Sequence, residues 1–167
     1  MKSTTRVEGN DLVITRRIAA APERIWDALT DAEQLRQWFA PRPWRITSAV
    51  VEPHPGGRFD IEMRGPEDQP EDCASDSSAG GCVIVAEAPR RIAWTDAMSG
   101  GYRPNATPFM TAIITLDPAE GGGTTYTARV LHRTPEDRRA LFEKCAGGRV
   151  TATGERVHSL DVDDVES

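Results

Sequence analysis

Few side chains in this sequence are of types and spacings that do chemistry. Asp96 ends an apolar segment beside Thr95, and Tyr102 and Arg103 lie in the loop that follows. A carboxylate at the mouth of a pocket works as a general base when burial raises its pKa. Its plainer role is that of a strand-end turn residue. Asp96 is the one catalytic candidate, and the balance leans away from an enzyme.

The histidines His54, His132 and His158 show no H-x-H, H-x-x-x-H or H-E-x-x-H spacing, so no metal site is expected. Asp161-x-Asp163-Asp164 lacks the glycine and distal glutamate of a calcium loop and reads as part of an acidic tail. Arg129 and His132 are three apart on one strand segment and point to opposite faces, which argues against a joint site. Cys73, Cys82 and Cys145 are odd in number and have no C-x-x-C spacing. They support neither a disulfide framework nor a zinc site, and three thiols suit the reducing cytoplasm. There is no G-x-S-x-G, Walker or dinucleotide fingerprint. The glycines at 56–57 and 121–123 sit in strand-to-strand turns, whereas phosphate loops precede helices. No cofactor is expected.

What remains is an apolar and aromatic set suited to the walls of a cavity: Trp38, Trp44, Phe59, Ile61, Met63, Trp94, Met98, Phe109, Tyr126, Leu141 and Cys145. Apolar walls with a few polar handles are how small-molecule sites are built. The alternative for each residue is an ordinary core position. The tryptophans Trp38, Trp44 and Trp94 are the better candidates, because a large ring with an N–H in need of a partner suits a cavity rim.

The elements that must position these residues follow from periodicity. Leu12 to Ala19 is β-branched and reads as a strand. Pro22 stands where a helix places its first residue, and PERIWDALTDAEQLRQWF carries apolar residues at helical spacing. Two short helices are expected, 22–30 and 32–39, with Thr30 or Asp31 capping the second and Pro41 and Pro43 ending it. From Trp44 to Leu131 the period changes to two. Strands are expected over 45–52, 58–64, 81–86, 91–96, 109–116 and 124–132, joined as an antiparallel meander. In 58–64, Phe59, Ile61 and Met63 share one face. In 109–116 both faces are apolar and the parity assigns neither. Pro135 opens a last helix, which Gly147-Gly148 and Gly154 interrupt.

The 167 residues fit one domain over 11–160, with a flexible N-terminus at 1–10, an acidic loop insertion at 67–80 and an acidic tail at 161–167. Hydrophobic residues make up 38%, and no stretch reaches the roughly 20 apolar residues of a membrane span. Met1 to Asn10 has no apolar run of the kind a secretory leader carries. The net charge of −6 argues against nucleic acid as the main partner. A monomer or weak homodimer is expected.

The order strand, two helices, strands, helix brings the sequence close to a known family. ITRRIAAAPERIWDALTDAEQLRQWFAP (14–41), VEPHPGGRFDIEMRGP (51–66), GCVIVAEAPRRIAWTDA (81–97) and PFMTAIITLDPAEGGGTTYTARVLH (108–132) resemble the activator-of-heat-shock-chaperone-ATPase-like branch of the START/polyketide-cyclase superfamily. The sequence departs from that pattern in the insertion at 67–80 and at Gly147-Gly148-Arg149, where relatives place a glycine–aromatic pair before a continuous helix. The resemblance implies an α+β helix-grip fold, a curved antiparallel sheet around a long C-terminal helix. It also implies a small hydrophobic ligand, such as a lipid, held between sheet and helix in a cavity of at least about 300 Å3. A chaperone-stimulating interaction domain and a cyclase- or hydrolase-like enzyme using the same cavity are its other members' activities, and fold alone does not choose among them.

Overall fold

The computed structural model describes residues 3–39, 45–64 and 80–143. The chain opens with β1 (Thr4–Glu8) and β2 (Asp11–Ile18), followed by α1 (Pro22–Thr30) and α2 (Ala32–Trp38). Strands β3 (Arg45–Val51), β4 (Phe59–Arg64), β5 (Cys82–Glu87) and β6 (Arg91–Thr95) come next. A small hairpin, β7 (Met98–Ser99) and β8 (Arg103–Pro104), precedes β9 (Met110–Pro118), β10 (Thr124–His132) and α3 (Pro135–Glu143).

The helix pair forms where the sequence demands it. Pro22 takes the first turn of α1, where its missing N–H costs nothing. Asp31 ends α1 and caps α2, its side chain accepting from the Gln34 N–H at 2.9 Å. Ile25, Ala28, Leu29, Leu35 and Trp38 are the buried faces of the two helices. The Trp38 indole N–H donates to the Ala28 carbonyl at 3.0 Å, so one side chain ties α2 to α1.

Six strands pair antiparallel in the order β1-β2-β10-β9-β6-β5. Strands β3 and β4 form a second ladder, joined to β5 by hydrogen bonds around the 54–57 turn: Phe59 N–H to Gly81 O, Val83 N–H to Gly57 O and Gly56 N–H to Val83 O. Gly57 is obligatory there, since a Cβ would lie 2.1 Å from the Glu52 carbonyl oxygen. The result is the expected curved antiparallel sheet with few helices.

One face of this sheet is the core. Along β10 every second residue is buried: Thr124, Tyr126, Ala128, Val130 and His132. Their partners across the ladders carry Ile14 and Leu12 on β2 and Leu116, Ile114 and Ala112 on β9, all buried. Ile92 and Trp94 continue the face on β6, and Phe59, Ile61 and Ile46 extend it onto β4 and β3. We call this the inner face.

Three outcomes differ from the sequence reading. Residues 4–8 are not a loose terminus: they form β1 and pair with β2 from Thr4 opposite Thr15 to Glu8 opposite Asp11. The pairing was hidden because β1 is an edge strand with exposed, polar side chains, and its partner lies just beyond the Gly9-Asn10 turn. The loop at 97–108 contains the β7–β8 hairpin, too short to leave a periodic signal. The last helix is described as α3, nine residues long, so the long gripping helix expected beyond it lies outside the described residues. The same holds for the acidic loop at 67–79 and the tail at 161–167.

Candidate functional site

The inner face gathers most of the residues singled out by type. Phe59 on β4 and Trp94 on β6 stack with ring centroids 4.0 Å apart and planes 14° from parallel. Phe39, at the end of α2, packs edge-on against Phe59 at 6.2 Å and tilted against Trp94 at 6.4 Å. Trp38 adjoins Phe39 at 5.6 Å. Helix α2 therefore delivers two aromatic rings to the same patch that β4 and β6 supply from below. Ile61 is buried in the same core and Met63 packs against it half-buried. Tyr126 is buried on β10.

Other candidates are placed elsewhere. Met98 lies half-buried in β7, opposite Pro104, apart from the main core cluster. Phe109 is half-buried and meets the His132 ring edge-on at 5.3 Å rather than joining the aromatic patch. Leu141 falls within α3. Trp44 and Cys145 lie outside the described residues.

Asp96 has a structural task. Its Oδ1 accepts the Phe109 N–H at 2.8 Å and the Met110 N–H at 3.0 Å, and its carbonyl accepts from the Asn105 amide at 2.8 Å. The carboxylate thereby closes the 97–108 loop onto the start of β9. The Asp96 oxygen that accepts these two main-chain N–H groups is thus committed to holding the loop.

One polar side chain that sequence reasoning passed over, Arg16, lies on the inner face itself beside Tyr126. Arg16 shares the parity of Ile14 and Ile18 and sits opposite Tyr126 in the β2–β10 register. Its Nε is buried and makes no hydrogen bond among the described residues, and the buried Tyr126 hydroxyl makes none among them either. Burial pushes the Tyr126 phenol well above its usual range, so it stays protonated. At the far end of β10, both ring nitrogens of His132 are buried and without a hydrogen bond among the described residues. Burial lowers the pKa of His132, and the nearby Phe109 main chain opposes that shift without reaching hydrogen-bond geometry. The parity of Arg16 within an otherwise apolar alternation was the available signal.

The outer face carries a different feature. A polar groove of about 600 Å3 opens between the outward side chains of β3 and β4 and the Ser99–Gly101 turn. Arg58 and Asp60 line it and are paired at 2.5 Å, while Asp60 Oδ1 also accepts the Gly81 N–H at 3.0 Å. Glu52 accepts the Arg58 N–H at 2.8 Å. Among the described residues no group of His, Cys, Asp or Glu is arranged to hold a metal.

With this geometry in view, the comparisons decide the kinship. The family model described as "Activator of Hsp90 ATPase homolog 1-like protein" matches residues 19–154. The chain belongs to this family. Its superfamily is that of the START and polyketide-cyclase proteins, in agreement with the sequence resemblance. A crystal structure of a protein from Nitrosomonas europaea is similar at 35% identity and a TM-score of 0.71, covering 82% of this chain and 84% of that one. One from Rhodobacter sphaeroides is 29% identical with a TM-score of 0.65, covering 84% and 85%. A Mycobacterium smegmatis protein, at 22% identity, a TM-score of 0.65 and coverage of 86% and 85%, shares the fold. No curated protein matches the chain. Among the described residues no helix is long and apolar enough to cross a membrane.

Proposed function

We propose that this member of the family binds a small hydrophobic molecule against the inner face of the sheet, and does so in the cytoplasm. The observation that carries the reading is an apolar wall that holds buried polar groups without partners. Arg16 Nε, the Tyr126 hydroxyl and the His132 ring are left unsatisfied in a face otherwise made of aliphatic and aromatic side chains. An ordinary core excludes such groups, because each costs roughly 1–3 kcal/mol when buried unpaired. A binding face keeps them for its ligand. The stacked Phe59–Trp94 pair with Phe39 and Trp38 offers the flat apolar surface beside them. The engagement of Asp96 by two main-chain N–H groups favours binding over catalysis.

Native mass spectrometry of the full chain from its own source tests this directly. A co-purified apolar molecule of constant mass supports it. A ligand-free protein that also fails to enhance the fluorescence of an apolar dye overturns it. The family description also supports contact with a chaperone; absence of any stimulation of a chaperone ATPase by the purified chain disposes of that reading.

A further inference from the structure

Two of the unsatisfied groups are neighbours, and together they have a chemical preference. Arg16 and Tyr126 are directly opposite one another in the β2–β10 ladder. Side chains so placed on one face begin about 4.5–5.5 Å apart, so their polar ends reach a common point. The guanidinium is a permanent cation with donors only. Arg16 makes no ion pair or hydrogen bond among the described residues, whereas Arg6, Arg36, Arg58, Arg91 and Arg129 each meet a carboxylate. Tyr126 is 1% exposed. Its protonated hydroxyl is available as a second donor.

The strand neighbours of the pair among the described residues supply no free acceptor and no counter-charge. On the inner face the pair is bordered by Ile14 and Ile18 on β2, Ala128 and Thr124 on β10, and Leu116 on β9. The Thr124 hydroxyl is already committed to the Ala20 carbonyl at 2.6 Å. A half-buried guanidinium whose Nε is buried without a partner among the described residues, beside a buried donor and aliphatic walls, suits one negative charge carried on an apolar body. One guanidinium and one phenol match the two oxygens of a carboxylate.

Building on the binding reading above, we propose that the ligand is an apolar monocarboxylic acid, with its carboxylate held between the Arg16 guanidinium and the Tyr126 hydroxyl. Its hydrocarbon part runs from this pair along β10 over Ala128 and Val130. These side chains project less than the flanking Ile14, Ile114 and Leu12. Arg16 supplies charge and direction, and Tyr126 discriminates an acceptor head from a purely apolar one.

The test compares decanoate with decanol, two probes that share a body and differ in the head, by titration calorimetry on the full chain at a pH where the acid is ionised. The wild-type chain is expected to bind decanoate at least about tenfold more tightly than decanol, since charge-assisted hydrogen bonds exceed neutral ones by that order. Arg16→Gln should abolish the preference by weakening decanoate about tenfold or more while leaving decanol unchanged, and Tyr126→Phe should lower it severalfold. Equal affinity of the wild-type chain for the two probes, or decanoate affinity indifferent to Arg16→Gln, overturns the carboxylate proposal and leaves the apolar site standing. If neither probe binds, the binding face itself is refuted and the head-group proposal falls with it. Should Arg16→Gln fail to fold, Tyr126→Phe carries the same comparison, because removing a hydroxyl without a partner leaves the fold intact.

Discussion

The two faces of the sheet handle polar groups in opposite ways. On the outer face, charges are abundant and answered: Arg58 with Asp60, Glu52 with the Arg58 main chain, and Arg129 with Glu8 and Asp11. On the inner face polar groups are few, and apart from Thr124 those of Arg16, Tyr126 and His132 find no partner among the described residues. The interactions that line the outer groove close upon themselves and explain the shape of the β3–β4 turn region. The inner face holds buried groups that find no partner among the described residues. Density of charge therefore does not mark the site in this molecule; lack of satisfaction does. The physical reason is the local dielectric. Exposed ion pairs gain little and are screened, whereas an unpaired donor in an apolar wall is expensive until something binds it.

That contrast can be broken at several points. The largest effect is expected from Trp94→Ala, which removes the ring stacked on Phe59 from a buried site. A loss of about 3–5 kcal/mol in denaturant unfolding is expected for a core tryptophan; a much smaller loss with altered apolar-dye binding would place Trp94 on an open pocket wall instead. Asp96→Ala should cost about 1–3 kcal/mol by stranding the Phe109 and Met110 N–H groups. Asp96→Asn, which keeps one acceptor, should recover part of that loss in the same measurement.

A pH effect should follow from His132. Its pKa in the folded chain lies below the ordinary value of 6.5, so the unfolded chain takes up the proton first as pH falls. The contribution of the neutral ring to stability is complete above about 6.5 and declines as pH drops from there through the folded value. Melting temperatures across that window should decline less in His132→Phe than in the wild-type chain.

On the outer face, Arg129→Gln should lower the melting temperature slightly, and the difference should shrink in high salt, because Glu8 is exposed and its lowered pKa arises first from Arg6 and then from Arg129. In the opposite direction, Tyr126→Phe in the ligand-free chain should raise stability, by up to about 1–3 kcal/mol, since the buried hydroxyl it removes has no partner among the described residues. A loss comparable to Asp96→Ala would mean that the hydroxyl is satisfied after all and the contrast between the faces is weaker than drawn.

Much of the fold was legible because its signals are local. Pro22 at a helix start, Asp31 as a cap, and the alternation Phe59, Ile61, Met63 announce their elements within a few residues. The strand boundaries at β10 coincide with those expected from its alternation. The candidate wall was partly legible too: Trp38, Phe59, Ile61, Trp94 and Tyr126 are buried together in one core, whereas Met98 and Phe109 are not part of it. Type alone could not separate those groups, since a methionine in a hairpin and one in a core read alike.

What the amino-acid order determined by itself was the kind and sequence of elements, the family, and the absence of phosphate and metal motifs. What only the tertiary structure decided was which side of each strand faces inward and which polar groups are left without partners there. Both faces of β9 are apolar in sequence, and the choice of Ala112, Ile114 and Leu116 as the inner set comes from their register against Trp94 and Ile92 on one side and Val130, Ala128 and Tyr126 on the other. The inward-facing arginine of β2, Arg16, becomes informative only when Tyr126, 110 positions later, arrives opposite it. Periodicity is a property of neighbours in the chain, whereas register and hydrogen-bond satisfaction are properties of neighbours in space.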